Sequence, residues 1–329
     1  MKLLLQLRCL CKSFNSLISD PRFANKHLCL STRHHLLMLM STDDLGHLVL
    51  FNSQIPSDFS TSTVSYPNCL KIGQSGPYCM CSCNGILCFT MFDGSAILWN
   101  PSNRTFKILP PLDMDKQLLS AYSFGCNPSI NNYTIVSILP RNGKTKVNVH
   151  TLSTDSWRTM QDFPYSRPFY RLGIFVSGTI NWLMLDVSSS FFIVSLDLEN
   201  ESYQQLLLPN LENDRSASLG VLRDCLCIFT SSDLNLNIWI MKEFGNQESW
   251  TKLYSGLHMQ DCIFRHYTKA LYIFEDEQLL VGFYELEPYK LKLVVYDSKN
   301  GTVNYCFWTT LHGRFIFILY CFSFFYFSQ

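Results

Sequence analysis

Cys79, Cys81 and Cys83 form the densest group of potential ligands in the sequence. On a β-strand, where side chains alternate between faces, this spacing puts three thiols on one side, a donor set suited to a soft metal. A closed tetrahedral site needs a fourth donor. No second clustered pair and no histidine at a familiar spacing provides it, so no metal is expected. Cys9/Cys11 and Cys225/Cys227 are weaker versions of the same pattern. His34 and His35 are adjacent and would point to opposite faces of a strand. The acidic runs Glu275-Asp276-Glu277 and Asp43-Asp44 read as solvated turns rather than acid–base pairs. Neither a glycine-rich phosphate loop nor a nucleophile elbow is present. No catalytic residue, cofactor or enzymatic activity is therefore expected.

Composition narrows the classes further. The 329 residues are 47% hydrophobic and 14% aromatic, ample for a large β domain or two ordinary ones. Lys and Arg number 26, as do Asp and Glu, giving a formal charge of zero. No basic run exceeds two residues, so no nucleic-acid partner is expected. The start Met1-Lys2-Leu3-Leu4-Leu5 imitates a signal peptide, but Gln6 and Arg8 break the apolar run. The reading is an intracellular protein of the cytoplasm and/or nucleus, with reduced thiols. The acceptor triplets at Asn103, Asn132, Asn200 and Asn300 are then incidental turn sequences.

The elements that would carry any binding surface are short strands. Apolar runs at 36–40, 85–91, 133–139, 179–185, 191–198, 225–229, 236–241, 279–284 and 291–296 are separated by Gly, Asn, Pro and Ser. That pattern points to an all-β sandwich, barrel or propeller. Residues 53–63, rich in Ser and Thr, read as a long loop. A repeated unit selects among the three: a strand ending in a large apolar residue, a polar turn, then a Ser- or Thr-initiated strand. It recurs at Trp99…Phe106, His150…Trp157, Leu196…Tyr203, Trp239…Trp250 and Tyr296…Thr302. Subtracting anchor numbers gives steps of 51, 46, 43 and 57, bracketing the ~40–50-residue period of propeller blades. An irregular sandwich with similar hairpins is the alternative. Gly85, Gly178 and Gly301, each after Asn or Ser, are expected at turns with positive φ. The tryptophans at 99, 157, 182, 239 and 250 are expected to fill space between sheets.

Ahead of the strands, Leu3, Leu7, Leu10, Phe14 and Leu17 recur at spacings of four and three, one apolar stripe on a helix. Asp20 reads as the N-cap of a second short helix, with Pro21 at its first position and Phe23 and Leu28 on its buried side. Two such helices need another surface to cover them. From residues alone, that surface is the domain behind them.

This stretch resembles the second half of the F-box of plant F-box proteins. Leu4, Leu5, Arg8, Cys9, Cys11, Lys12, Ser13, Leu17, Ile18, Asp20, Pro21, Phe23, His27 and Leu28 match in register, while Gln6, Leu7 and Phe14 depart. Met1 falls where a first helix of that module would have ended, so the module reads as partial. The resemblance implies a Skp-type adaptor of an SCF ubiquitin ligase as partner. Leu4, Leu5, Leu7, Arg8, Cys11, Phe14, Leu17, Ile18, Pro21 and Phe23 would then be the adaptor-facing residues. A second resemblance begins at Pro77. Ser82-Cys83-Asn84-Gly85, Leu98-Trp99-Asn100-Pro101, Phe124-Gly125, Asp155-Ser156-Trp157, Gly178-Thr179 with Trp182, Ser195-Leu196-Asp197 and Glu248-Ser249-Trp250 look like the ordered signatures of the plant F-box-associated interaction domain, which is similar to kelch-type propellers.

The expected organisation is a partial F-box at 1–30, a β-propeller-like domain at 31–310 and an atypical apolar tail at 311–329. Residues 315–327 carry no charge and fall short of the ~20 apolar residues that span a bilayer. No membrane association is expected. The tail is read as the replacement of a last strand, and its β-prone, uncharged composition marks an aggregation risk. Deleting everything after Leu311 is expected to raise solubility. The expected function is substrate recognition for an SCF ligase, binding an unidentified protein target through the β domain without catalysis. The alternative is a stand-alone interaction domain that has lost its ligase coupling.

Overall fold

Four short antiparallel strands, joined in sequence order by tight turns, make the repeating unit of this chain. The structure is a computed structural model describing residues 7, 9–19, 35–42, 48–55, 62–63, 77–91, 94–101, 104–112, 121–127, 129–130, 132–141, 144–165, 168, 172–211, 216–232, 235–258, 269–274, 276–285, 290–297, 299–309 and 316–321. The fold is mainly β, made of small antiparallel sheets of the β-propeller kind. Among the described residues, α1 (Lys12–Ser19) precedes them, and residues 7, 9 and 10 are helical as well. The second expected helix lies in residues 20–34, outside the described residues.

Six four-stranded sheets are present among the described residues. The first contains β1 (His35–Thr42), β2 (Leu48–Ile55) and β3 (Ser62–Thr63). The second runs β4 (Pro77–Cys83), β5 (Ile86–Met91), β6 (Ala96–Asn100), β7 (Thr105–Leu109). The third runs β8 (Ala121–Asn127), β9 (Asn132–Arg141), β10 (Lys144–Thr151), β11 (Ser156–Met160). The fourth runs β12 (Ile174–Val176), β13 (Thr179–Leu185), β14 (Phe191–Asp197), β15 (Tyr203–Leu206). The fifth runs β16 (Ser216–Leu222), β17 (Cys225–Ser232), β18 (Asn235–Met241), β19 (Trp250–His258), and the sixth β20 (Lys269–Ile273), β21 (Leu279–Glu285), β22 (Lys290–Asp297), β23 (Thr302–Thr309). Last comes β24 (Ile316–Cys321), which completes the first sheet by pairing antiparallel with β1, His35 opposite Cys321. The apolar tail is thus partly a strand, and the region expected as a loop at 53–63 contributes its ends to β2 and β3.

The chain divides into two compact units, Met1–Lys116 with Gly313–Gln329, and Gln117–His312. Within the second unit, the sheets pack in chain order. Val136, Val149, Trp182 and Leu196 join the third and fourth sheets in one core. Leu183, Ile193, Leu219 and Ile228 join the fourth and fifth. Phe229, Ile238, Leu279 and Val294 join the fifth and sixth. Middle strands such as β13 and β14 are buried on both faces, so neighbouring sheets must cover them.

The repeat seen in the sequence is the third strand of each of these sheets. Trp99, His150, Leu196, Trp239 and Tyr296 lie on β6, β10, β14, β18 and β22. Cross-strand partners follow: Trp99 faces Phe106, His150 faces Trp157 and Leu196 faces Tyr203. In the fifth sheet β-bulges shift the register, and Trp239 faces Lys252 rather than Trp250. Lys252 places its ammonium 4.6 Å from the Trp239 ring centre. Trp99 and Trp182 are fully buried, whereas Trp157, Trp239 and Trp250 are half-buried.

Turn chemistry sets the registers. Asn84 and Gly85 have φ of 49° and 76°, and Ser177 and Gly178 have 50° and 78°. Two consecutive positive φ values make the type I′ turn, whose twist matches that of the flanking strands. Arg223 and Asp224 make the same turn without glycine, at 51° and 57°.

Candidate interaction surfaces

The helical stripe comes first in the chain. Residues 7, 9 and 10 are helical, Cys11 interrupts, and α1 follows, with the Asn15 N–H donating to the Cys11 carbonyl at 3.1 Å. Leu7 is half-buried, and every described side chain from Cys9 to Leu17 is exposed. Leu10 is 68%, Phe14 42% and Leu17 52% exposed, on one face by their spacing. The structure therefore presents the stripe to solvent. Of the adaptor-facing residues implied by resemblance, Leu7, Cys11, Phe14 and Leu17 are found along this helical segment. Leu4, Leu5, Arg8, Pro21 and Phe23 lie outside the described residues, as does the side chain of Ile18.

Two side chains of the cysteine triplet are described. Cys81 and Cys83 lie on β4, and Cys81 stands opposite Cys88 of β5. The Cys81 thiol donates to the Cys88 carbonyl at 3.9 Å. Its pKa is held well above the ordinary thiol value, first by its hydrogen bond with Cys88 and then by burial. The side chain of Cys79 is outside the described set. Among the described residues no three His, Cys, Asp or Glu side chains converge. Of the acidic run, Glu275 lies outside the described residues, while Asp276 and Glu277 sit in a turn between β20 and β21; Glu277 has φ of 69° and pairs with Arg223 at 2.7 Å.

Within the second unit, the turns of each antiparallel sheet gather at two ends. At one end, a cavity of about 190 Å³ lies between the third and fourth sheets, bounded by the β8–β9 and β14–β15 turns and by the facing ends of β10 and β11. Its floor includes Val136, Val149 and Leu196, all buried. Its walls include Asn127, Asn132, Ile130, Arg158, Asp197, Glu199 and Glu201. Arg158, on β11, forks onto both carboxylate oxygens of Glu201, which sits in the turn of the next sheet; its Nη1–Oε2 distance is 3.0 Å.

The turns around this cavity are tied to each other. The Asn127 amide donates to the Leu198 carbonyl at 3.1 Å. Asn132 donates through Nδ2 to Ser153 Oγ at 2.7 Å and accepts from the Ser153 N–H at 3.2 Å. Asp197 closes its turn by accepting from the N–H groups of Glu199 and Asn200, at 2.7 and 3.0 Å. The Asn200 N–H is the foremost of the donors that hold the Asp197 carboxyl below its usual pKa, so it stays ionised at neutral pH. At the opposite end of the fourth sheet, Asp186 organises the β13–β14 turn in the same way and presents Val187 fully to solvent.

Sequence reading did not find this cavity. Arg158 directly follows the Asp155-Ser156-Trp157 signature, and Glu199 and Glu201 come shortly after Ser195-Leu196-Asp197, in the turn that Asp197 opens. The signatures mark the turns, but only the packing of one sheet on the next brings the two sets together.

With the fold and surfaces in view, comparison with known proteins places the chain in a class. Residues 30–320 match the F-box associated beta propeller domain, and the chain belongs to that family. It is 30% identical to an F-box/kelch-repeat protein of Arabidopsis thaliana, an alignment covering 92% of this chain and 85% of that one. It is 26% identical to the F-box protein CPR1 of the same plant, over 92% of this chain and 80% of the relative. Among solved structures, TolB from Acinetobacter baumannii superposes with a TM-score of 0.56 at 12% identity, covering 89% of this chain and 69% of TolB. That likeness is one of fold.

Proposed function

We propose that this chain is a substrate-recognition subunit of an SCF-type ubiquitin ligase. It would act without catalysis of its own, in the cytoplasm and/or nucleus, binding a protein target through the β domain and a Skp-type adaptor through the N-terminal helical segment. The observation that carries the reading is the exposed Leu10–Phe14–Leu17 stripe on a chain of the F-box associated family. An apolar stripe left in water is stabilised by a partner that covers it. The contribution to ubiquitin transfer is proximity: holding the lysines of a target near a charged enzyme recruited elsewhere in the assembly.

Purified full-length chain mixed with a Skp-type adaptor tests this directly. The expected result is co-elution at micromolar concentrations, lost in Phe14→Asp. Absence of a complex with the unaltered chain would leave a β-propeller interaction domain uncoupled from the ligase.

A further inference from the structure

We propose that the cavity between the third and fourth sheets, beside the β8–β9 and β14–β15 turns, receives a short segment of a protein partner, an apolar anchor residue next to a lysine or arginine. This deepens the receptor reading and rests on it. Size argues first. At about 190 Å³ the cavity is smaller than the ~300–1,000 Å³ typical of small-molecule sites. It suits a single anchor side chain. Its floor of Val136, Val149 and Leu196 gives that side chain an apolar seat, and Ile130, 67% exposed at the rim, extends it.

Charge then sets what flanks the anchor. Three carboxylates line the cavity, from Asp197, Glu199 and Glu201, against one guanidinium, Arg158. Arg158 is engaged by Glu201 and Asp197 by its own turn. Among the described residues no basic group answers Glu199, so the rim has negative charge to offer a cation. Complementary charge of this kind steers encounter and selects partners. The Asn127–Leu198 and Asn132–Ser153 hydrogen bonds hold the turns in place before any partner arrives, which lowers the ordering cost of binding.

The test is selection of a displayed library of random twelve-residue peptides on the purified full chain. The expected winners carry Lys or Arg within three positions of Leu, Ile, Met or Phe. Their affinity should fall at least tenfold in Glu199→Lys/Glu201→Lys and in Ile130→Asp, fall with added salt, and stay unchanged in Val187→Asp at the opposite end. Ile130, Val187 and Glu199 are exposed and Glu201 is half-buried, and unchanged melting temperatures would show that the variants fold. Winners without a basic residue, affinities indifferent to the rim changes, loss in Val187→Asp, or no enrichment at all would each overturn the proposal. Adaptor co-elution is read separately: if the rim variants still co-elute while peptide binding fails the test, the cavity proposal falls and the receptor reading stands.

Discussion

Ser123 shows what a single hydroxyl does in this fold. Fully buried on β8, it accepts from the Gly173 N–H at 2.9 Å and from Trp182 Nε1 at 3.1 Å, tying the third sheet to the fourth. Gly173 has no room for a side chain, since an added Cβ would lie 2.5 Å from both Ser123 Oγ and Ile180 Cγ2. Ser123→Ala leaves two buried donors without an acceptor and is expected to cost about 2–6 kcal/mol in denaturant unfolding, from ~1–3 kcal/mol per orphaned group. A loss below about 0.5 kcal/mol would mean that the hydroxyl is not the tie. Thiol chemistry gives a second residue-scale prediction. Burial pushes Cys126 up to about 11 and Cys227 up to about 12. Both are neutral thiols at pH 8, and the thiolate is the nucleophile. Iodoacetamide at that pH should label exposed Cys9 and Cys11 within minutes and leave Cys126 and Cys227 until the protein unfolds. Peptide mass mapping over time reads the order, and early labelling of Cys227 would contradict the packing described.

Elements differ in how plainly they were written into the sequence. The apolar runs located β5, β9, β13, β14, β17, β18, β21 and β22 because these are second and third strands, covered on both faces. The fourth strands were read from the repeat rather than from apolar runs of their own. β11 is half-buried at best and reads Ser-Trp-Arg-Thr-Met, so its register follows from β10 rather than from its own pattern. β8 is buried throughout yet reads Ala-Tyr-Ser-Phe-Gly-Cys-Asn, because the close approach of the next sheet selects small and hydrogen-bonded residues over Val and Ile. The turns behaved as their residues require, and Gly85, Gly178 and Gly301 all have positive φ. For the tail, composition and structure lead to opposite expectations. Composition marked it as an aggregation risk, but β24 pairs with β1 across six residue positions. Truncation after Leu311 would strip the partner from one side of β1 and leave an open strand edge, which templates association. The truncated chain is therefore expected to be less soluble than the full chain, measured by sedimentation of purified protein. Higher solubility would make β24 dispensable.

At the scale of the whole molecule, the family rests on the match over residues 30–320, and the proposed function on the exposed helical stripe. The ordered signatures from Ser82 to Trp250 were legible because each marks a strand end or a turn, where few residue types serve. The cavity was not legible, since Arg158 and Glu201 are 43 positions apart and meet only through sheet packing. The helical stripe was legible as a periodicity, but its exposure is a property of the fold. Hydrogen exchange of the full chain, alone and with a Skp-type adaptor, tests the central claim most directly. The account predicts that the amides of residues 9–19 exchange rapidly in the free chain and become protected at least tenfold in the mixture, while β13 and β14 are unchanged. Unaltered exchange at residues 9–19, or protection confined to the β domain, would contradict it.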